Sequence, residues 1–129
     1  MPSHSPFTVL KGLRVEVERV IYQPDFDGPA DRPYCFVYHI LIRNGSDRAV
    51  AIKARKWVVT NARGEITAIE GDGIVGQCPE LKPGDTFRYK SFHLLETSSG
   101  SAEGSYLGLD AQGHPILTRI PRFDMNASA

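Results

Sequence analysis

Residues 71–84 read Gly71-Asp72-Gly73-Ile74-Val75-Gly76-Gln77-Cys78-Pro79-Glu80-Leu81-Lys82-Pro83-Gly84. The first six fit G-x-G-x-x-G, the glycine fingerprint that opens a phosphate-binding helix in α/β nucleotide folds. That chemistry needs the helix, whose N-terminus presents aligned N–H groups and a positive dipole end to the anion. Pro79, Pro83 and Gly84 follow so closely on Gly76 that no helix of useful length forms there. The stretch therefore reads away from a doubly wound α/β fold and toward a fold of strands and turns. Its glycines then serve close backbone approach or positive φ. The rival reading is a helix-free anion loop of N–H groups at Gly71, Gly73 and Gly76, with Arg55, Lys56 or Lys82 supplying positive charge. Glu96 stands where a ribose-binding acid would be sought, but acidic residues are too common for this to add weight.

Outward from the glycines, strand signals dominate. Leu13 to Tyr22 alternates apolar and charged residues and changes phase near Arg19-Val20, which predicts a bulged, half-buried strand. Gln23 to Pro33, with three prolines and three aspartates, predicts a long exposed connection. Tyr34 to Arg43 is apolar on both faces and should be a central strand. Val50 to Thr60 should be one long strand bent around Lys53-Ala54, and Asn61-Ala62-Arg63-Gly64 turns it into Glu65 to Ile69. Lys82-Pro83-Gly84-Asp85 suits a type II turn before the alternating strand Thr86 to Leu95, in which Phe87, Tyr89 and Ser91 share a face. Thr97 to Glu103 is small and polar and reads as a flexible loop; Ser105 to Leu109 and Ile116 to Ile120 should pair across Asp110 to Gly113. Seven or eight strands at this spacing predict an all-β sandwich.

The chain of 129 residues has the size of one domain, 1–129, with 1–12 and 126–129 expected to be flexible. Fifteen Lys and Arg balance fifteen Asp and Glu, so no general attraction for nucleic acid or an anionic membrane is expected. No apolar run reaches membrane-spanning length, and Met1 to Pro6 lacks the basic start and apolar stretch of a signal peptide; a cytoplasmic protein is expected. Cys35 lies in an apolar strand and reads as a structural thiol, and with Cys78 it shows no C-x-x-C spacing.

Candidate chemistry is sparse. His4, His39, His93 and His114 share no ligand spacing, and Asp25, Asp27 and Asp31 lack the glycine and closing glutamate of a calcium loop, so no metal site is expected. No serine sits in G-x-S-x-G, and Glu96 and Glu103 suggest solvation more than acid–base work; no catalytic residue and no cofactor is assigned. Arg55-Lys56-Trp57 could offer a cation and an indole to a partner. The competing reading puts Trp57 in the core, with Arg55 on the same face covering it.

Several short motifs succeed one another in order. They are Tyr34-x-Phe36-x-Tyr38, Ile42-Arg43-Asn44, Arg55-x-Trp57, Thr60-Asn61, Gly64, Gly71 to Gly76, Pro79, Pro83-Gly84-Asp85-x-Phe87-x-Tyr89-x-Ser91, Gly100, Gly104-x-Tyr106 and Ile120-Pro121-x-Phe123. From about Leu13 to Met125 the chain resembles the ApaG domain family. The resemblance implies an immunoglobulin-like, fibronectin type III-like β-sandwich, found free-standing in bacteria and within eukaryotic F-box and polymerase-interacting proteins. It also implies a link to cobalt resistance and magnesium efflux, and a suggested pyrophosphate site at the glycine motif. Cys78 stands where glutamine is common, Phe92 where a glycine usually follows Ser91, and Ala102 where methionine is usual. The leading expectation is a non-enzymatic protein-binding or adaptor module, its partner protein unspecified and a homodimer compatible with it. The alternative is a small-ligand protein taking pyrophosphate, nucleotide or a divalent cation at the glycine loop.

Overall fold

The computed structural model describes residues 6–128. Its strands are β1 (Leu13–Tyr22), β2 (Tyr34–Asn44), β3 (Val50–Asn61), β4 (Ile66–Asp72), β5 (Glu80–Leu81), β6 (Thr86–Leu95), β7 (Ser99–Asp110) and β8 (Pro115–Asn126). β1, β2 and β6 form a three-stranded antiparallel sheet in the order β1-β2-β6. The facing sheet runs β4-β3-β7-β8, with β5 also on β3. The all-β sandwich is as expected, and among the described residues no helix is long and apolar enough to cross a membrane.

Local chemistry sets most of the boundaries. The phase change in β1 is a register shift between Val17 and Arg19, and the bend in β3 is a shift between Ile52 and Ala54. Gly64, Gly84 and Gly113 each close a turn at positive φ, the conformation that glycine alone adopts without strain. Between the sheets lie Phe36, Tyr38, Ile40, Ile42, Val50, Ile52, Trp57, Tyr106, Ile116 and Ile120, all buried. Cys35 is buried as well, and burial pushes its thiol pKa up, away from the reactive thiolate. Residues 8–12 pack onto this body: the Thr8 N–H donates to Pro115 O and Leu10 is buried. His4 lies outside the described residues.

One expectation fails. Thr97 to Glu103 is not a flexible loop, because β7 begins at Ser99 and pairs with β3 as far as Asn61↔Gly100. Small residues are required there. A Cβ on Gly100 would overlap the Thr60 carbonyl, and one on Gly104 the Lys56 carbonyl, so polarity without bulk marks close strand approach rather than a loop.

The two long sides of the sandwich differ. On one, the Thr118 hydroxyl donates to Leu13 O at 3.1 Å, tying β8 to β1, and the Leu117 N–H donates to Thr8 O, in the segment before β1, at 3.0 Å. On the other, β6 and β4 are the outermost strands of their sheets, and no hydrogen bond joins them among the described residues. Thr67 and Ile69 lie opposite Val59 and Trp57 in the β3–β4 register, so they share the inward face. Yet both are exposed, because the three-stranded sheet does not reach far enough to cover β4.

Candidate functional site

The glycine stretch is an excursion in an edge strand. β4 and β5 follow one another along the same edge of β3, with Asp72 opposite Ala54 and Glu80 opposite Ala51. The seven residues between them loop out where β3 bends. Both ends are pinched: Gly73 N–H donates to Lys53 O at 2.7 Å, and Ile52 N–H to Pro79 O at 2.9 Å. Ile74 and Gln77 exchange backbone bonds of 2.7 and 2.9 Å around Val75-Gly76, whose φ values of 48° and 79° are the paired positive angles of a type I′ turn. This two-residue turn drives Ile74 into the core, where it is fully buried.

That geometry spends three of the N–H groups that an anion would need. The N–H groups of Gly73, Ile74 and Gln77 are already given to carbonyls, whereas the carbonyls of Asp72 and Gly73 accept Arg55 Nη1 at 2.7 and 3.1 Å. The Arg55 guanidinium lies against Gly71 on the face where a side chain would stand: a Cβ there would be 2.7 Å from Arg55 Nη2. Arg55 has no carboxylate partner among the described residues. Its guanidinium is held by these neutral carbonyls, near a tyrosine group in which the Tyr89 and Tyr106 hydroxyls hydrogen-bond to each other. Burial raises the pKa of Tyr38, against the opposing effects of a Ser91 hydrogen bond and the Arg55 charge. Val75 is the strained member of the turn, since a β-branched residue at positive φ is a conformational outlier. Val75→Asn should therefore raise stability by about 1 kcal/mol, read as a higher denaturant midpoint with unchanged m; an unchanged or lowered midpoint would contradict this account of the turn.

Of the three residues read as a partner-binding group, Lys56 is exposed, 3.7 Å from Glu70, and Arg55 is half-buried against the excursion. Trp57 is 1% exposed, so its indole cannot meet a partner in the folded protein, and the core reading is the right one. Alternation explains this: Trp57 lies inward between Tyr38 (centroids 4.9 Å) and His93 (4.6 Å, edge-on). Among the described residues, no group of three or more His, Cys, Asp and Glu converges on a metal-sized site.

A more enclosed depression than the one beside the glycine excursion lies on the open side. A cleft of about 200 Å³ lies between the uncovered inward face of β4 and the end of β6, lined by Val59, Thr67, Ile69, Phe92, His93 and Arg32 among others. Ile69 is 39% and Phe92 47% exposed, and Phe92 packs on Phe26 at a centroid distance of 5.3 Å. His93 is 5% exposed, and its Nε2 has no hydrogen-bond partner. Packed against the rings of Tyr38, Trp57 and Phe123, the imidazole is buried, and burial lowers its pKa to about 4, so it is neutral at pH 7. At one end of the cleft the Asn61 amide holds Glu65 (2.8 Å) and Glu96 (3.0 Å).

Sequence reasoning did not assemble this cleft. Phe92 was visible as a departure from the family pattern, and Ile69 as a strand residue, but their meeting depends on one sheet being narrower than the other.

Both the sandwich and the order of the motifs point to one family, and the sequence profile described as the ApaG domain matches residues 24–109. The chain belongs to the ApaG family. Protein ApaG from Azoarcus sp. is 40% identical over 111 residues, covering 85% of this chain and 87% of that protein. Protein ApaG from Proteus mirabilis is 38% identical over 111 residues, covering 86% and 88%. Among solved structures, the X-ray structure of Northeast Structural Genomics Consortium target SoR45 is 30% identical, with a TM-score of 0.81 over 89% of this chain and 86% of that one. The ApaG match includes the central strand β2, the glycine excursion and both walls of the open cleft.

Proposed function

We propose that this ApaG-family chain is a non-enzymatic protein-binding module and that its binding surface is the open side between β4 and β6. The observation that carries the reading is the exposed apolar surface there: Ile69 and Phe92 flank a cleft that the narrow sheet leaves uncovered. Burying side chains of this size contributes about 1.5–3 kcal/mol each, which is the scale of an interface anchor. The link to cobalt and magnesium that the family resemblance implies then belongs to the partner's activity.

The small-ligand alternative at Gly71, Gly73 and Gly76 is disfavoured by the commitment of the Gly73, Ile74 and Gln77 N–H groups to backbone carbonyls. A melting screen separates the two readings. A ligand held only by the folded state stabilises by about 2.7 kcal/mol at one hundred times its Kd, so millimolar pyrophosphate, ADP or magnesium should leave the melting temperature unmoved. Proteins captured from the source cell should drop out when the bait carries Phe92→Asp. A clear rise in melting temperature with pyrophosphate, or capture indifferent to Phe92→Asp, would replace this reading with the alternative.

A further inference from the structure

One end of the open cleft carries a charge that nothing balances. Asn61 braces the turn from β3 to β4, its side-chain oxygen accepting the N–H groups of Arg63 and Glu65 at 3.0 and 3.1 Å. Its amide nitrogen has two hydrogens to give, and they go to Glu65 Oε1 at 2.8 Å and Glu96 Oε2 at 3.0 Å. A neutral amide thus draws two carboxylates together and cancels neither. Arg63 pairs with one of them, at 2.7 Å from Glu65. Glu96 is half-buried and has no ion-pair partner among the described residues.

The surroundings deepen this negative field. The connection between β1 and β2 reaches the cleft at Phe26, which packs on Phe92, and at Arg32 in the lining. It also brings Asp25, Asp27 and Asp31, none of them ion-paired among the described residues, and its Arg32 makes no ion pair with Glu65 or Glu96. Lys90 lies two residues from Phe92 but is outside the lining. Five carboxylates therefore stand on or beside the cleft against Arg32, Arg63 and Lys90. Further in, His93 lines the same cleft, and its buried Nε2 lacks a partner. In the tautomer protonated on Nδ1, that nitrogen accepts a hydrogen bond. The missing groups are a positive charge and N–H donors, and the walls between them, Val59, Ile69 and Phe92, are apolar.

We infer that the open cleft is a socket for one arginine side chain of the partner protein. The methylene stem lies along Val59 and Ile69, the guanidinium supplies the charge that Glu96 lacks, and its N–H groups supply the donor that His93 Nε2 lacks. At about 200 Å³ the cleft is smaller than the roughly 300–1,000 Å³ of most small-molecule sites, which suits a single side chain. Lysine fits less well. Its ammonium is a compact, strongly hydrated point charge, whereas a planar guanidinium donates to two carboxylates at once and packs on an aromatic ring such as Phe92. The inference rests on the open side being the binding surface and adds the chemistry of the group that it takes.

The test titrates the isotope-labelled chain, followed by NMR, with acetyl-Leu-Arg-Leu-amide and with twins carrying citrulline or lysine in place of arginine. The arginine peptide should give saturable shifts at Ile69, Phe92 and His93 and leave 71–77 unmoved. Citrulline keeps the shape and loses the charge, so its peptide should bind at least about ten-fold more weakly; the lysine peptide should be weaker by about three-fold or more. Glu96→Gln keeps an acceptor for Asn61, and it should abolish the preference for arginine over citrulline. No saturable shift at millimolar peptide, equal binding of the arginine peptide and either twin, or a preference that survives Glu96→Gln would each overturn the arginine socket. If Phe92→Asp still abolishes capture of the cellular partner in that event, the surface assignment survives and only the occupant falls; if Phe92→Asp abolishes nothing, both fall.

Discussion

Replacing Gly73 by alanine is expected to cost about 2–4 kcal/mol of folding stability. The φ of Gly73 is +62°, a left-handed conformation that costs an L-residue about 1–2 kcal/mol. A Cβ there would also overlap the carbonyl oxygen of Gln77, and this oxygen is fixed by the N–H of Ile74, so the added methyl brings about 1–3 kcal/mol of overpacking. The other two glycines of the stretch should order themselves by the same geometry. Gly76 has φ +79° with open space around it, so Gly76→Ala should cost about 1 kcal/mol, the conformational part alone. Gly71 has no positive φ, and its Cβ would meet only the end of the flexible Arg55 side chain, so Gly71→Ala should cost less than about 1 kcal/mol. Denaturant unfolding of the three single variants measures the ranking Gly73 over Gly76 over Gly71. Three equal and negligible effects would mean that the excursion is not the structural device described here.

Acidification is the second large effect, and His93 is its source. The imidazole is buried among Tyr38, Trp57 and Phe123, and burial lowers its pKa from 6.5 to about 4. Because the folded-state value lies below the unfolded one, the unfolded chain takes up a proton first as pH falls. Stability from this group is thus full above pH 6.5 and declines progressively toward pH 4. The shift corresponds to about 3 kcal/mol in total. Comparing wild type with His93→Leu isolates it, since carboxylates with lowered pKa such as Glu65 titrate in both proteins. Between pH 7.5 and 4.5 the wild type should lose about 2–3 kcal/mol more than the variant. At pH 7.5 the two should differ little, because His93 Nε2 gives up no hydrogen bond when it is removed. Parallel stability–pH curves would show that His93 does not titrate as its surroundings dictate.

How far the sequence foretold the molecule depended on whether local chemistry was enough. Alternation with a phase change was enough for β1 and its bulge, and Pro83-Gly84 and Asn61 to Gly64 were enough for their turns. Prolines after Gly76 ruled out the helix, although the excursion that replaces it, with Ile74 as its buried anchor, depends on where β3 bends. At β7 local chemistry misled: Ser99-Gly100-Ser101 has the composition of a loop, and only the closeness of the β3 backbone makes it a strand. Trp57 beside Arg55 and Lys56 looked like a surface anchor to a reading of neighbours, and like core to a reading of alternation; alternation was right. The open cleft was the least legible feature. It follows from the difference in width between two sheets, which no single strand's pattern carries.

The central claim is that a partner docks on the open side and not on the glycine excursion. Hydrogen–deuterium exchange of the chain, alone and in complex with the protein it captures, addresses this directly. Slowed exchange confined to 66–69 on β4 and 91–95 on β6, with 71–77 unchanged, is the predicted footprint; protection confined to 71–77 would contradict it.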